Sequence, residues 1–195
     1  MKPRNHDHTH TYSLSNQLLV AMPGMSDPTF AHSVTYICEH SSEGAMGIII
    51  NMPMSLDMGD IYQQLDLETS HASAEVPVLA GGPVSVERGF VLHPTRDDQL
   101  WQSTIRVCDD ISLTASRDIL TALAEGRGPE HFLIALGYAG WDSEQLEQEI
   151  SDNAWLTVPA DQQILFGTPC EQRWQAAAKS IGIDLNLISN TAGHA

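Results

Sequence analysis

Basic residues are scarce in this chain, whereas acidic residues are abundant. Its 195 residues include 9 Lys+Arg and 25 Asp+Glu, which gives a formal net charge of −16 at pH 7. Non-specific nucleic-acid binding consists largely of phosphates neutralised by basic side chains, and anionic membranes likewise attract basic patches. The charge therefore argues against direct binding of nucleic acid and against docking on a membrane.

Long apolar segments are also missing. No stretch approaches the roughly 20 continuous apolar residues that a transmembrane helix needs. The N-terminal segment, MKPRNHDHTHTYSLSN, lacks the apolar region of a secretory signal, so we expect a cytoplasmic protein. Its alternating His6, His8 and His10 have no cysteine or carboxylate pair that would define a metal geometry, and we predict a mobile tail over residues 1–14.

Cysteines are few and widely separated. Cys38, Cys108 and Cys170 are an odd number and form no C-x-x-C pair. A disulfide framework and a cysteine zinc site are therefore not expected. We predict no metal site and no cofactor.

Residues 15–195 are predicted to form one domain. Hydrophobic residues make up 42% of the chain and charged residues only 17%, which is enough apolar material for a core. The apolar pattern indicates about seven strands and four helices, with hairpins mixed among strand–helix–strand runs. This irregular alternation favours an α+β fold with a mixed, strongly bent sheet over a doubly wound parallel sheet.

Arginine is concentrated in the middle of the chain, where Arg88, Arg96, Arg106, Arg117 and Arg127 lie. Pairing with neighbouring acids on a solvated face is the ordinary fate of surface charges. The alternative is a positive pocket on an acidic body, because the guanidinium fork binds carboxylates and phosphates bidentately. Arg117 also lies in the first turn of a predicted helix, where the helix dipole favours anions.

Established catalytic motifs are absent, including the P-loop, the nucleophile elbow, the zinc-protease motif and the kinase elements. Gly81-Gly82-Pro83 follows a predicted strand, but a second strand rather than a helix follows it. Tight-turn geometry is therefore favoured over phosphate binding. His93 ends that second strand near the arginine segment and is a further candidate for ligand binding, although a structural role is favoured for it.

The run Cys38-Glu39-His40 places a thiol, a carboxylate and an imidazole in adjacent residues of a predicted strand. Side chains alternate between the faces of a strand, so Cys38 and His40 are expected on the same side. A Cys–His pair within hydrogen-bonding reach would make a reactive thiolate. The alternative, a small buried hydrophobic cysteine, is the commoner one.

The segment Gly137-Tyr138-Ala139-Gly140-Trp141 is the best local candidate for a ligand site. The most apolar predicted strand ends there, glycines turn the chain, and a capped helix is predicted to begin soon after. Ligands in sheet proteins often bind in such strand-to-helix crevices. The alternative is that Tyr138 and Trp141 fill the edge of the core.

Several blocks of the sequence are similar to one family of bacterial proteins. They are LLVAMPGMSDPTFAHSVTYICEHSSEGAMGIIINMP, PVLAGGPVSVERGFVLHP, LTASRDILTALAEGRGP and ALGYAGWDSEQLEQEISDNAWLTVPAD. In content and order they resemble the YqgE/AlgH family over about residues 15–195. The resemblance implies an α+β domain whose bent, bifurcated sheet resembles a distorted barrel. One branch of the family has been described as a transcriptional regulator linked to alginate production, and the resemblance brings no established catalytic residue.

Our leading hypothesis is a non-enzymatic regulatory or adaptor protein that binds a protein partner or a small anionic ligand and influences transcription indirectly. The candidate binding residues are Gly81, Gly82, Arg88, His93, Arg117, Tyr138 and Trp141. One alternative is an enzyme, a hydrolase or a redox-active thiol protein, that uses Cys38 and His40 or the region of Arg88 and Arg117. Direct DNA binding is the other alternative, and the net charge disfavours it.

Overall fold

The computed structural model describes residues 13–69 and 72–189. The predicted metal-free tail with His6, His8 and His10 therefore lies outside the described residues, apart from Ser13 and Leu14. The side chain of Leu14 is buried, and its N–H donates a hydrogen bond to Nδ1 of His40 at 3.0 Å.

Strands dominate the described residues. They are β1 (Gln17–Ala21), β2 (Val34–Ser41), β3 (Gly44–Ile49), β4 (Pro53–Asp57), β5 (Pro77–Ala80), β6 (Val84–Pro94), β7 (Thr104–Arg106), β8 (Ile111–Thr114), β9 (Leu133–Asp142) and β10 (Trp155–Pro159). The α-helices are α1 (Met58–Gln64), α2 (Arg117–Ala124), α3 (Gln145–Ser151), α4 (Cys170–Ser180) and α5 (Leu185–Ser189). A 3₁₀ helix spans Ala72–Glu75, and a π-helical turn spans Gln163–Gly167.

The strands form one sheet that curls into a half barrel, in the order β10-β1-β2-β3-β9-β6-β8-β7. Neighbouring strands on this path are antiparallel. The predicted mixed, strongly bent α+β fold is confirmed, because β5 adds a parallel pairing with β9. The hairpins β2–β3 and β7–β8 lie where short glycine-bearing or Asp-Asp connections predicted them.

Strand β9 is the point at which the sheet divides. Its first half pairs with β5, from Val78↔Ile134 to Ala80↔Leu136. Its second half pairs with β3, from Gly47↔Ala139 to Gly44↔Asp142. At the division, the backbone of Gly81 makes hydrogen bonds to two strands. Its carbonyl accepts from Ile49 N–H of β3, and its N–H donates to the carbonyl of Leu136 of β9, each at 2.8 Å. This division is the bifurcation that the family resemblance implied.

Glycines permit the close backbone approach at the division. Gly137 has φ +73° and Gly82 has φ +153°, conformations that side chains other than glycine rarely adopt. A Cβ on Gly137 would overlap the carbonyl oxygen of Gly82, and a Cβ on Gly82 would overlap the backbone of Tyr138. Gly81-Gly82-Pro83 is thus the turn between β5 and β6 that the sequence favoured, held against β9.

The strand does not end at Gly137 as expected, because β9 continues to Asp142. The left-handed Gly137 instead shifts the alternation of side chains by one residue. Leu133 and Ala135 face the main core cluster before the glycine, and Tyr138 packs against the same cluster after it. Trp141 consequently belongs to a second cluster on the other face of the sheet.

The sequence predicts about four helices and the structure has α1 to α4 and the short α5. Helix α1 begins at a capping box. Asp57 and Asp60 form a reciprocal capping box, in which each carboxylate accepts a hydrogen bond from the other residue's N–H, at 3.1 and 3.0 Å. Helix α4 packs against β1, β2 and β10. Over the part of the chain that the structure describes, no helix has the length and apolar character needed to cross a membrane.

Candidate functional site

A groove of about 970 Å³ lies at one end of the half barrel. Its floor is continuous with the main core cluster, to which the buried Cys38 and Phe90 belong and against which Met46, Val107 and Tyr138 pack. The other residues that line it are Ser15, Glu39, His40, Ser41, Glu43, Gly44, Ala45, Val84, Arg88, Ile105, Arg106, Gly140, Trp141 and Asp142.

The groove brings together five of the residues predicted as site candidates from the sequence. They are Cys38, His40, Arg88, Tyr138 and Trp141. The other four candidates, Gly81, Gly82, His93 and Arg117, do not line it. Of the five central arginines, only some line the groove, and only some pair with neighbouring acids.

Arg88 is the exposed cation on the groove floor. Its guanidinium carbon lies 5.1 Å from the centroid of the Phe90 ring, a cation–π contact that follows from their i, i+2 spacing on β6. Phe90 in turn meets Tyr138 edge-on, with ring centroids 5.9 Å apart. Within residues 13–69 and 72–189, Arg88 has no carboxylate at ion-pairing distance. Its fork of N–H donors is free to bind an anion.

Arg106, on β7, is the second arginine that lines the groove. Its guanidinium lies 3.6 Å from the carboxylate of Asp97 and donates a 3.3 Å hydrogen bond to the carbonyl of Asp109. More than half of its side chain is exposed and Asp97 is almost fully exposed, so this long contact is weak. Arg106 adds positive charge near Arg88 without closing the groove.

The remaining central arginines are engaged elsewhere. Arg96 makes a bidentate pair with Asp98, with N–O distances of 3.0 and 2.8 Å, and Arg127 pairs with Glu125. Arg117 is exposed on α2 and donates a 2.6 Å hydrogen bond to the carbonyl of Leu65. Arg96 and Arg127 thus pair locally with acids, whereas Arg88 lies in the groove.

The other end of the groove is acidic. Glu43 and Asp142 lie where the β2–β3 turn meets the end of β9, since Gly44 pairs with Asp142. Gly89 pairs with Leu136, so Arg88, one residue earlier on the antiparallel β6, lies level with Gly137, five residues before Asp142 on β9. At about 3.3 Å per residue, the two ends are about 17 Å apart along this strand. An anionic ligand group is therefore directed towards Arg88 and away from Asp142.

Tyr138 and Trp141 have different roles although both border the groove. The Trp141 indole is buried, packs against Phe30 and Trp155, and donates its Nε1–H to Glu149 at 2.9 Å. It fills the core, as the alternative interpretation of this segment proposed. Tyr138 is partly exposed on the groove floor, where it can contact a ligand.

His93 is buried and fully hydrogen-bonded. Its Nδ1 lies 2.9 Å from the carbonyl of Pro94, which requires Nδ1–H to be the donor, and its Nε2 lies 2.9 Å from the hydroxyl of Thr114, which then donates to it. Burial lowers the pKa of His93, and the bond to Pro94 only partly opposes this effect. The geometry is that of a neutral structural histidine.

Cys38 and His40 do not lie on the same side of β2 as expected, because the β-bulge at Cys38 shifts the alternation of side chains. Cys38 packs in the main core cluster, whereas His40 pairs with Ala45 on the face of the second cluster, so the two do not form a reactive pair. Nδ1 of His40 accepts from Leu14 N–H, so Nε2 carries the proton that bonds Glu147 at 2.8 Å. Neither ring nitrogen is left to take the thiol proton. Burial, followed by the charge of Glu39, raises the pKa of the Cys38 thiol well above its usual range. A β-bulge between Ile37 and Glu39 leaves the sulfur in the core.

Among the described residues, no three histidine, cysteine or carboxylate side chains cluster closely enough to hold a metal ion. Sequence reasoning did not select Phe90, Met46, Ile105 and Val107 as site residues. The alternation of Arg88 and Phe90 on one strand was the available signal for the first of these. The presence of Met46, Ile105 and Val107 in the groove depends on pairing between strands that are distant in the sequence.

Comparisons with known proteins identify the family. A family model described as AlgH-like matches residues 18–186. A UPF0301 protein from Saccharophagus degradans is 56% identical over 183 residues, which are 94% of this chain and 89% of that protein. The chain belongs to the AlgH-like UPF0301 family. A second UPF0301 protein, from Thioalkalivibrio sulfidiphilus, is 54% identical over 96% of this chain and 100% of its own length.

Solved structures share the UPF0301 fold. The solution structure of the AlgH protein from Pseudomonas aeruginosa aligns with a TM-score of 0.76 at 45% identity and covers 100% of both chains. The crystal structure of a Corynebacterium diphtheriae protein aligns with a TM-score of 0.71 at 20% identity, over 97% of this chain and 94% of that chain, and shows the fold alone. The predicted family is confirmed. UPF0301 is an uncharacterised family, so membership assigns no activity.

Proposed function

We propose that this UPF0301 protein is a non-catalytic regulatory or adaptor protein whose groove binds an extended acidic segment of a partner protein. The supporting observation is Arg88, an exposed arginine that rests on Phe90 in the groove and has no carboxylate partner among the described residues. A carboxylate on the partner would complete its hydrogen bonding bidentately.

The rest of the groove favours a protein segment over a small free anion. Val84 and Ile105 line it and are 37% and 40% exposed. Such apolar side chains match the side chains that flank an acidic residue in a protein segment. A small anion would use Arg88 alone and leave this surface in water.

An effect on transcription would pass through the partner under this proposal. The net charge of −16 repels a phosphate backbone. The enzyme alternative that uses Cys38 and His40 has less support, because both His40 nitrogens are engaged and the Cys38 thiol is buried.

A peptide-binding experiment tests the proposal. A displayed library of random octapeptides is selected on the wild-type protein, and a recovered peptide is labelled with fluorescein for anisotropy titration. We expect recovered peptides to contain Asp or Glu beside apolar residues. Arg88→Gln should weaken binding at least about tenfold, since hydrogen bonds to charged groups contribute about 1.5–3 kcal/mol.

Arg117→Gln is the matched control, because it removes the same charge from an exposed arginine outside the groove. We expect it to change affinity by less than about twofold. Equal affinity for wild type and Arg88→Gln would contradict the proposal. So would full displacement of the peptide by millimolar acetate or phosphate, which would identify a small-anion site instead.

A further inference from the structure

We infer that the partner segment binds by adding a strand to the free edge of β7. This inference rests on the proposed function and specifies how the backbone of the partner is recognised. Strand β7 ends the sheet order, and over the described residues it pairs only with β8. An unpaired edge offers N–H and C=O groups to an extended chain.

The register of the β7–β8 hairpin shows which backbone groups are available. Val107 N–H donates to the carbonyl of Ile111, and the carbonyl of Ser103 accepts from Ala115 N–H. In an antiparallel pair, alternate residues direct both backbone groups at the partner strand. Residues 103, 105 and 107 therefore face β8, and Thr104 and Arg106 direct their N–H and C=O groups away from it.

The free edge of β7 borders the groove. Ile105, Arg106 and Val107 are consecutive, and all three line it. Side chains on one strand alternate between opposite faces, so Ile105 and Arg106, neighbours at the end of β7, can both line one groove only where the edge of the strand borders that groove. A strand added to this edge would lie along the groove and could direct alternate side chains towards its floor.

The composition of the edge suits an acidic segment. β7 is exposed along its length and carries no acidic residue, only Thr104, Ile105 and Arg106. Arg106 adds to the positive charge of Arg88 on the floor of the same groove. Because only two residues of β7 face outwards, backbone pairing contributes part of the affinity, and the side chains supply the rest.

N-methylation of the peptide selected above tests the strand pairing. Each backbone N–H is methylated in turn, and affinity for the wild-type protein is measured by anisotropy. Because only Thr104 and Arg106 face outwards, two peptide N–H groups, separated by one residue, pair with β7. We expect about three- to tenfold weakening when either of these is methylated and less than about twofold at the residue between them and at the other positions. Uniform tolerance, combined with a retained loss in Arg88→Gln, would overturn strand addition and leave the proposed function standing.

Two substitutions at one position test the same pairing from the protein side. Arg106→Ala and Arg106→Pro both remove the guanidinium, but only proline removes the outward N–H, and proline is tolerated on an edge strand where that group faces solvent. We expect Arg106→Pro to bind the peptide at least about threefold more weakly than Arg106→Ala. Equal affinities would contradict the inference.

A second copy of the chain is the competing occupant of this edge. Light scattering of the wild type and of Arg106→Pro distinguishes the two cases. We expect both to have the same mass. A wild-type dimer that becomes monomeric in Arg106→Pro would assign the edge to self-association and overturn the inference.

Discussion

The arginines of this molecule have different roles because their neighbours differ. Arg96 and Arg127 are neutralised by carboxylates two residues away in the sequence. Arg173 is buried and donates to the backbone carbonyls of Thr168, at 2.9 Å, and Ile50, which ties α4 to the sheet. Arg88 has an aromatic ring beneath it and no carboxylate among the described residues. This last environment leaves the guanidinium of Arg88 available to a ligand in the groove.

His93 shows the opposite case, a candidate ligand residue whose environment gives it a structural role. Its folded pKa lies below the usual 6.5 because burial disfavours the charged ring. As pH falls through 6.5, the unfolded chain takes up a proton that the folded chain does not. The free energy of unfolding should therefore fall below pH 6.5, by up to about 1.4 kcal/mol per pH unit.

Urea unfolding of wild type and His93→Gln between pH 7.5 and 5 measures this contribution. His93→Gln should be less stable at pH 7.5, because it loses the paired hydrogen bonds to Pro94 and Thr114. The difference between the two proteins should narrow as pH falls, because glutamine does not titrate. A difference that stays constant with pH would show that His93 does not resist protonation.

At the scale of the element, β9 combines two strand segments through one glycine. The left-handed backbone of Gly137 shifts the side-chain alternation, which turns Tyr138 to the groove and Trp141 to the second core cluster. The same residue lies against the β5–β6 turn at Gly82. The position of the groove floor therefore depends on this junction.

Three alanine substitutions separate backbone conformation from crowding at the junction. Gly24 has open space and no positive φ, so Gly24→Ala should change stability by less than about 0.5 kcal/mol. Gly182 has φ +80° but open space, so Gly182→Ala should cost about 1–2 kcal/mol. Gly137→Ala combines positive φ with overlap and should cost about 3 kcal/mol or more. Urea denaturation measures the three losses of stability. Equal losses for Gly137→Ala and Gly182→Ala would show that the backbone at the junction shifts to accommodate the added Cβ.

Local patterns predicted the elements better than the way they join. The β-branched run of β2, the apolar spacing of α1 and the short connections of the hairpins are properties of neighbouring residues. The continuation of β9 past Gly137 was not predicted, because a glycine in a sequence is compatible with both a turn and a kinked strand. The meeting of Arg88, Tyr138 and Arg106 in one groove depends on pairings between distant strands, which neither spacing nor composition specifies.

At the scale of the whole molecule, negative charge greatly exceeds positive charge. A formal net charge of −16 means that most carboxylates have no basic partner. Ion pairs between arginine and carboxylate within the described residues are Arg96–Asp98, Arg106–Asp97 and Arg127–Glu125, and all are exposed. Exposed pairs contribute little to stability, whereas like charges over the surface repel one another in the compact state. The folded protein therefore carries net electrostatic repulsion at neutral pH.

Salt should consequently stabilise the protein. Raising NaCl from 10 mM to 150 mM shortens the Debye length from about 30 Å to about 8 Å, which screens repulsion between distant carboxylates. We expect a gain of about 1 kcal/mol, seen in calorimetry as a Tm increase of about 2–4 °C at pH 7. KCl at the same ionic strength should act equally, because screening does not depend on the cation. The increase should vanish near pH 4.6, where the net charge approaches zero. A Tm that falls with salt at pH 7 would mean that attractive ion pairs outweigh the repulsion.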